Sequence, residues 1–255
     1  MSSSNEDPLR AAVDAAFAGN RLLATLDADT RALLEPFATI IDLMPGDAVL
    51  TAGTLVERTV FPFDTLMVSL MVELRGGRSV EVTSIGKEGA IGGIVSCGGV
   101  PAFTHAVVQI AGRALAFPMQ ALESAKRASP HIQHLFCRYS DFLLATVMQS
   151  VACNAFHPIE ARAARWLLHA ADRVGDRLVL TQESLAGLLG VQRTTVNAVA
   201  RLLQEQGLIA YRRGAIQVLD RPGLAKVACE CYAAIEQHFA DVLGPDGRGT
   251  IGDCD

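Results

Sequence analysis

The chain reads as an α+β protein: an N-terminal jelly-roll-like β-roll, a long dimerisation helix and a C-terminal winged helix-turn-helix. Three observations predict this. Across residues 40–117, short runs rich in Val, Leu and Phe alternate with Gly-containing turns, the pattern of a small barrel. From 130 to about 154, apolar residues recur three and four apart, the period of an amphipathic helix. Across 180–219, two short amphipathic segments flank Gly190 and lead into a hairpin pattern.

With 255 residues, half of them hydrophobic, the chain can bury two cores and is not disordered in composition. The net charge of −5 is unevenly spread. From 157 to 217, eight arginines face five carboxylates, a local balance of +3, so this stretch is basic and the remainder acidic. A modest basic face suits salt-sensitive, site-directed contact with nucleic acid and argues against indiscriminate coating. Residues 1–7 lack the basic and apolar regions of a secretory signal. The uncharged run 142–156, about 15 residues, is short for a membrane span. The expected location is therefore cytoplasmic, without a membrane partner, and the six cysteines are expected as thiols.

Residues 1–19 read as a flexible leader, helical from 9 to 18, with no assigned function. Residues 20–117 form the expected sensor roll. Its entry, 20–37, predicts a helix through Leu22, Leu23, Leu26, Leu33 and Leu34, with Asp27 capping a second turn. Pro45-Gly46-Asp47 makes a turn, and strands are predicted at 48–50, 56–61, 66–74, 79–85, 105–110 and 113–117. Arg75-Gly76-Gly77-Arg78 closes a hairpin between the third and fourth of these.

Residues 118–155 are connecting and dimerisation helices. Pro118 opens a short helix and Pro130 a longer one, ~37 Å at 1.5 Å per residue. The row Ile132, Leu135, Tyr139, Phe142, Thr146 and Gln149 is assigned to an interface with a second copy. Phe136, Leu143, Val147 and Ser150 make a second apolar row beside it. His157-Pro158 breaks the chain and is the predicted hinge. Residues 156–243 are the expected DNA-binding unit, opening with a helix at 159–171 that holds Trp166 as a core anchor and closing with a helix at 223–243. Residues 244–255, Gly-rich and acidic, read as a flexible tail.

Within that unit Thr181 is a plausible N-cap, and Leu185, Leu188 and Leu189 share one helical face before the Gly190 turn. Val196, Val199, Ala200, Leu202 and Leu203 form the apolar face of the next helix. Its other face carries Arg193, Thr194, Thr195, Asn197 and Arg201, where short polar groups allow close approach to a major groove. An arginine there can bond guanine O6 and N7 together. Gly207 ends the helix; 208–211 and 216–219 read as strands around Arg213-Gly214, a wing that sets Arg212 and Arg213 against phosphates. A plain αα-hairpin beside a β-hairpin has the same periods, but a core helix does not present such a face of Arg, Thr and Asn.

Other chemistries find little support. Barrels of this kind can be metal enzymes, yet His105 is the lone histidine of the barrel segment and no His-x-His set exists. No catalytic residue, metal or cofactor is expected, and His105 reads as a hydrogen-bonded core or rim residue. Cys97, in a Gly-rich loop without Lys or Arg nearby, reads as structural filler, with a redox sensor as the alternative. His131, His134 and Cys137, three residues apart in turn, read as a half-exposed face of mixed polarity, with metal binding across a dimer as the alternative. Cys229-Glu230-Cys231 is set aside as a metal pair because helical neighbours one apart point away from each other.

Barrel, long helix, hinge and winged helix in this order resemble the Crp–Fnr family of dimeric transcription regulators, over roughly 20–232. The most specific part is Thr181-Gln182-Glu183-Ser184-Leu185-Ala186, then Leu189-Gly190-Val191-Gln192-Arg193-Thr194-Thr195-Val196 and Gly207-Leu208-Ile209. In the barrel, Pro45-Gly46-Asp47, Gly53, Phe61-Pro62, Glu88-Gly89 and Val108-Gln109 are similar to family residues. The resemblance implies that Arg193 reads guanine and that Thr181 and Thr195 touch phosphate, with Gln182 beside them. Two family positions differ: the usual Glu after the Arg is Thr194 and a later Arg is Ala198. A different half-site is therefore expected, read by Gln192, Thr194 and Asn197.

A second departure lies in the nucleotide cassette. Where cyclic-nucleotide-binding members have Gly-Glu and an Arg-polar-Ala run, this chain has Gly89-Ala90-Ile91-Gly92-Gly93-Ile94 and Phe103-Thr104-His105-Ala106. Ala90 cannot accept from a ribose hydroxyl and Phe103 cannot pair with a phosphate, so the expected effector is not cyclic AMP or cyclic GMP. The resemblance implies double-stranded DNA, a second copy of the chain and RNA polymerase as partners, with any small-molecule effector unidentified. The alternative is a ligand- or partner-sensing adaptor that keeps the shape but no longer reads DNA.

Overall fold

The structure, a computed structural model, describes residues 8–94 and 99–244. Cys97, residues 1–7 and the tail from 245 lie outside the described residues.

The roll is built from β1 (Thr39–Leu43), β2 (Ala48–Leu50), β3 (Arg58–Pro62), β4 (Met67–Leu74), β5 (Arg78–Ile85), β6 (His105–Ile110) and β7 (Gly112–Pro118). They form two antiparallel sheets, in the orders β1-β7-β3 and β2-β6-β4-β5. Val60, Val68, Ile85, Ile91, Val108 and Ala114 fill the roll. The β4–β5 hairpin turns through Arg75-Gly76-Gly77, with both glycines at positive φ (92° and 75°), as predicted. Strand β1 was not expected: it contains Asp42 and alternates only weakly between exposed and half-buried positions.

The predicted helix at 20–37 is broken. Two 3₁₀ turns, Leu23–Thr25 and Glu35–Phe37, follow α1 (Pro8–Gly19) and flank α2 (Ala28–Ala32). Buried Asn20 supplies the first reason. Its Oδ1 accepts from Leu22 N and Leu23 N at 3.1 Å, while Nδ2 donates to Pro62 O (2.7 Å) and Gly89 O (2.9 Å). Asn20 thus caps the short turn that follows and fastens the chain to the barrel at Pro62 and Gly89, fixing its direction before a longer helix can run on. Pro36 interrupts the other end. Asp27 does cap α2, accepting from Thr30 N at 2.8 Å. Helix α1 docks on the roll, with Phe17 buried edge-on to Phe117 at 6.0 Å.

Helix α3 (Met119–Ala128) leads to α4 (Pro130–Phe156), ~40 Å long at 1.5 Å per residue, capped by Ser129. Here the interface assignment needs correction. Ile132, Leu135, Tyr139, Phe142 and Thr146 are all buried within the protomer, and Gln149 is half-buried with its amide on Cys231 Sγ at 3.0 Å. The exposed apolar residues of α4 are instead Leu144, Met148, Val151 and Phe156, at 54, 61, 66 and 85 % exposure. Periodicity gives a helix its faces but not the neighbour that covers each.

That neighbour comes from the far end of the chain. The predicted closing helix 223–243 is two helices, α8 (Arg221–Val227) and α9 (Cys231–Leu243). Asp220 caps α8 through Gly223 N (2.9 Å), and the chain leaves helical geometry at 228–230. Helix α9 then runs back along α4, with Phe239 edge-on to Phe142 at 5.0 Å. Because α9 begins at Cys231, the objection to the Cys229–Cys231 pair fails: the two do not sit in one helix, and both are buried.

Between these lie α5 (Ile159–Val174), α6 (Gln182–Leu189) and α7 (Arg193–Glu205), with β8 (Arg177–Leu178), β9 (Ile209–Arg212) and β10 (Ala215–Val218) in a sheet of order β8-β10-β9. This C-terminal unit rests against the β4–β5 hairpin of its own roll. Trp166 is buried, as an anchor should be, but its Nε1 also donates to Glu81 Oε1 at 2.8 Å. Glu81 Oε2 accepts from Ser69 Oγ, and Arg173 pairs with Glu88 at 2.7 Å, both side chains largely buried. Among the described residues no helix is long and apolar enough to cross a membrane.

Candidate nucleic-acid interface

The helix-turn-helix forms for local reasons. Thr181 Oγ1 accepts from Ser184 N at 3.0 Å and so caps α6. Gly190 takes the left-handed conformation (φ 68°) that ends α6 and lets Val191 N reach Ala186 O at 3.0 Å. Arg162 adds a bond from Nη2 to Leu189 O at 2.8 Å, closing off the end of the helix. Leu185, Leu188 and Leu189 then meet Val196, Val199 and Leu203 in one core with Trp166 and Leu167 of α5. Leu202, expected on that apolar face, is instead 41 % exposed at its edge.

Burial of one side of α7 leaves Arg193, Thr194, Asn197, Ala198 and Arg201 along an exposed arc, with Thr195 half-buried beside it. Gln192, just before the helix, is exposed and makes no side-chain cap. Thr181 is exposed and Gln182 half-buried at the start of α6. The two arginines of α7 are not equally available. Arg193 has only a long contact to Glu183 (3.8 Å), both side chains being well exposed and therefore weakly paired. Arg201 is bonded to Glu205 at 2.8 Å, a hydrogen bond that holds its pKa above the ordinary arginine value.

Arg212 and Arg213 are exposed at the wing tip, where β9 and β10 pair Arg212 with Ala215 across a two-residue turn. Arg213 (φ 51°) and Gly214 (φ 77°) both have positive φ, as a tight primed turn demands. Gln204 was not foreseen. Its Oε1 accepts from Tyr211 N at 2.9 Å and so fixes the wing to α7. A glutamine near the end of a helix gives no sequence signal for that bond.

Within the roll, a cavity of ≈ 290 Å³ lies where a cassette ligand would sit. Its lining among the described residues, including Leu70, Ile85, Ile91, Val100 and Leu143, has no charged side chain. Phe103 is 87 % exposed and Ala90 buried. Tyr139 of α4 occupies the Ala90 backbone from both sides: Ala90 N donates to Tyr139 Oη at 3.0 Å, and Oη donates to Ala90 O at 3.2 Å. A Cβ on Gly89 would collide with that hydroxyl. His105 sits at the rim as expected, accepting from Ala52 N at 3.4 Å and lying 3.5 Å from Glu73. His134 and Cys137 are exposed on α4 with His131 half-buried, a face of mixed polarity.

Two short helices at a glycine turn, an exposed polar arc on the second and a basic wing define a helix-turn-helix DNA-binding unit carried on a β-roll. Comparison with known proteins agrees with this unit and this fold. Residues 161–227 match the Crp-like helix-turn-helix domain. A putative Crp/Fnr regulator from Eubacterium rectale is similar in structure, at 16 % identity and TM-score 0.62, covering 81 % of this chain and 96 % of that one. FixK2 from Bradyrhizobium japonicum is similar at 16 % identity and TM-score 0.65, over 75 % and 98 % of the two chains. The c-di-GMP-responsive regulator CLP of Xanthomonas campestris is similar at 17 % identity and TM-score 0.58, over 76 % and 100 %. No curated protein sequence matches the chain significantly. Residues 161–227 are thus a Crp-like helix-turn-helix domain, and the chain shares its fold with solved regulators of the Crp/Fnr type.

Proposed function

We propose that the protein works as a homodimer that reads a near-palindromic operator, one recognition helix α7 in each major groove. Half-sites then lie about one helical turn apart, on one side of the duplex. The observation that carries this reading is the exposed arc Arg193, Thr194, Asn197 and Arg201, opposite a buried apolar face. Arg193 reads a guanine; Gln192, Thr194 and Asn197 read neighbouring bases; Thr181, Gln182, Thr195, Arg201, Arg212 and Arg213 hold the backbone. The second copy covers the α4 stripe of Leu144, Met148, Val151 and Phe156.

In this reading residues 20–117 sense, 118–155 pair, and 156–243 bind DNA, with His157-Pro158 as the hinge between two settings of the heads. RNA polymerase is the further partner, and the protein is a regulator rather than an enzyme. Although one similar protein is c-di-GMP-responsive, the cavity lining among the described residues carries no charge to pair with a phosphate-bearing effector in the roll.

Selection of bound DNA from a random pool, followed by titration of base-substituted sites, tests the proposal. Arg193→Ala should lose ~1–3 kcal/mol at one base position in each half-site while remaining a folded dimer. A pool that enriches no sequence would favour the adaptor.

A further inference from the structure

Four side chains meet beside the hinge that DNA recognition does not use. Cys153 comes from the last turn of α4, His157 from the connector, Cys229 from the break after α8, and Cys231 from the first residue of α9. Their ligand atoms all lie within 4.8 Å of one another. Cys153 Sγ is 3.5 Å from Cys229 Sγ, and Cys231 Sγ is 3.5 Å from His157 Nδ1. A tetrahedral ion with metal–sulfur bonds of about 2.3 Å and metal–nitrogen bonds of about 2.0 Å requires separations of about 3.8 Å and 3.5 Å for such pairs. These two separations fit a closed Cys₃His site, and the three thiols are buried.

The surroundings point the same way. His157 presents Nδ1 to the cluster while its Nε2 lies 3.2 Å from Glu230 Oε1, so a carboxylate fixes the ring and its tautomer, as around metal-bound imidazoles. Gln149 donates from Nε2 to Cys231 Sγ at 3.0 Å. Arg162 and Arg165 of α5 lie within electrostatic range of the cluster, and each has a buried Nε–H without a hydrogen-bond acceptor. Three thiolates and one divalent cation carry a net charge of −1, which these guanidiniums would face.

We propose that Cys153, His157 Nδ1, Cys229 and Cys231 bind one Zn²⁺ ion per chain. Three thiols release their protons to solvent on binding, and neutral His157 supplies the fourth lone pair. The ion ties the end of α4, the connector and the start of α9 into one joint, and so sets the angle at which the C-terminal unit leaves the long helix. Coordination does not depend on the DNA reading; only its effect on operator binding does.

The test uses the full chain purified under reducing conditions, with Zn²⁺ and Co²⁺ as probes. Native mass spectrometry should find one Zn²⁺ per chain, and Co²⁺ should give the visible bands of a tetrahedral thiolate complex. Zn²⁺ should protect Cys153, Cys229 and Cys231 from alkylation but leave Cys137, exposed on α4, reactive. Cys229→Ser should lose the ion and Cys137→Ser should keep it. Should Cys229→Ser misfold, Glu230→Gln, at an exposed side chain, should still weaken Zn²⁺ binding ~10-fold. No retained metal at equimolar Zn²⁺, alkylation of the three thiols unchanged by Zn²⁺, or a Cys153–Cys229 disulfide in their place would overturn the proposal. So would an ion that persists in a folded Cys229→Ser, Cys231→Ser double variant.

Discussion

Arg213 is held at φ 51°, a conformation that costs a non-glycine residue ~1 kcal/mol, at the position where the wing turns. Asparagine tolerates that conformation better. Arg213→Asn should therefore raise thermal stability by ~0.5–1 kcal/mol while removing the phosphate contact proposed for it. Its salt dependence of DNA binding should flatten by about one unit of slope, with base preference unchanged. Unchanged slope in a binding titration against salt would remove Arg213 from the interface. The polar residues of α7 were legible in sequence because the apolar face of a short helix is set by neighbours three and four residues away. Cys153, His157, Cys229 and Cys231 were not, since up to 78 positions separate them and their meeting depends on a break at 228–230. Gln204 was hidden for a related reason: its partner is a backbone amide on another element.

At the scale of elements, α4 shows what periodicity can and cannot say. Its length, its start at Pro130 and its two apolar faces follow from sequence; the assignment of those faces does not. The row ending in Phe142 and Thr146 is covered by the protomer's own roll and by α9, a helix from the opposite end of the chain. Two substitutions separate the faces. Phe142→Ala should cost ~3–5 kcal/mol of stability through the cavity left against Phe239. Met148→Glu, in the exposed stripe, should leave the melting of the isolated protomer unchanged and convert the proposed dimer to monomer, measured by light scattering. A Met148→Glu protein that keeps the dimer mass would move the interface off this stripe. The β-hairpins were legible through their glycine turns, whereas β1 was missed because a strand half-covered on both sides alternates too weakly.

Across the whole molecule, the C-terminal unit is seated on the β4–β5 hairpin through Glu81, Trp166 and the Arg173–Glu88 pair. Burial raises the Glu81 carboxyl above its ordinary value, against the opposing pull of hydrogen bonds from Ser69 and Trp166 and the charges of Arg173 and Arg165. A raised carboxyl contributes stability that is complete below the unfolded value, ~4.3, and is lost as pH rises through the folded one. Glu81→Gln removes that loss, so its melting temperature should fall less than wild type as pH rises above ~4.3. Parallel melting curves across that range would show that Glu81 does not titrate in place. Tyr139 ties α4 to the roll at another point, its hydroxyl satisfying both the N–H and the carbonyl of Ala90. Any swing of the long helix away from the roll must therefore break both bonds at once and strip a buried amide and a buried carbonyl of their shared partner.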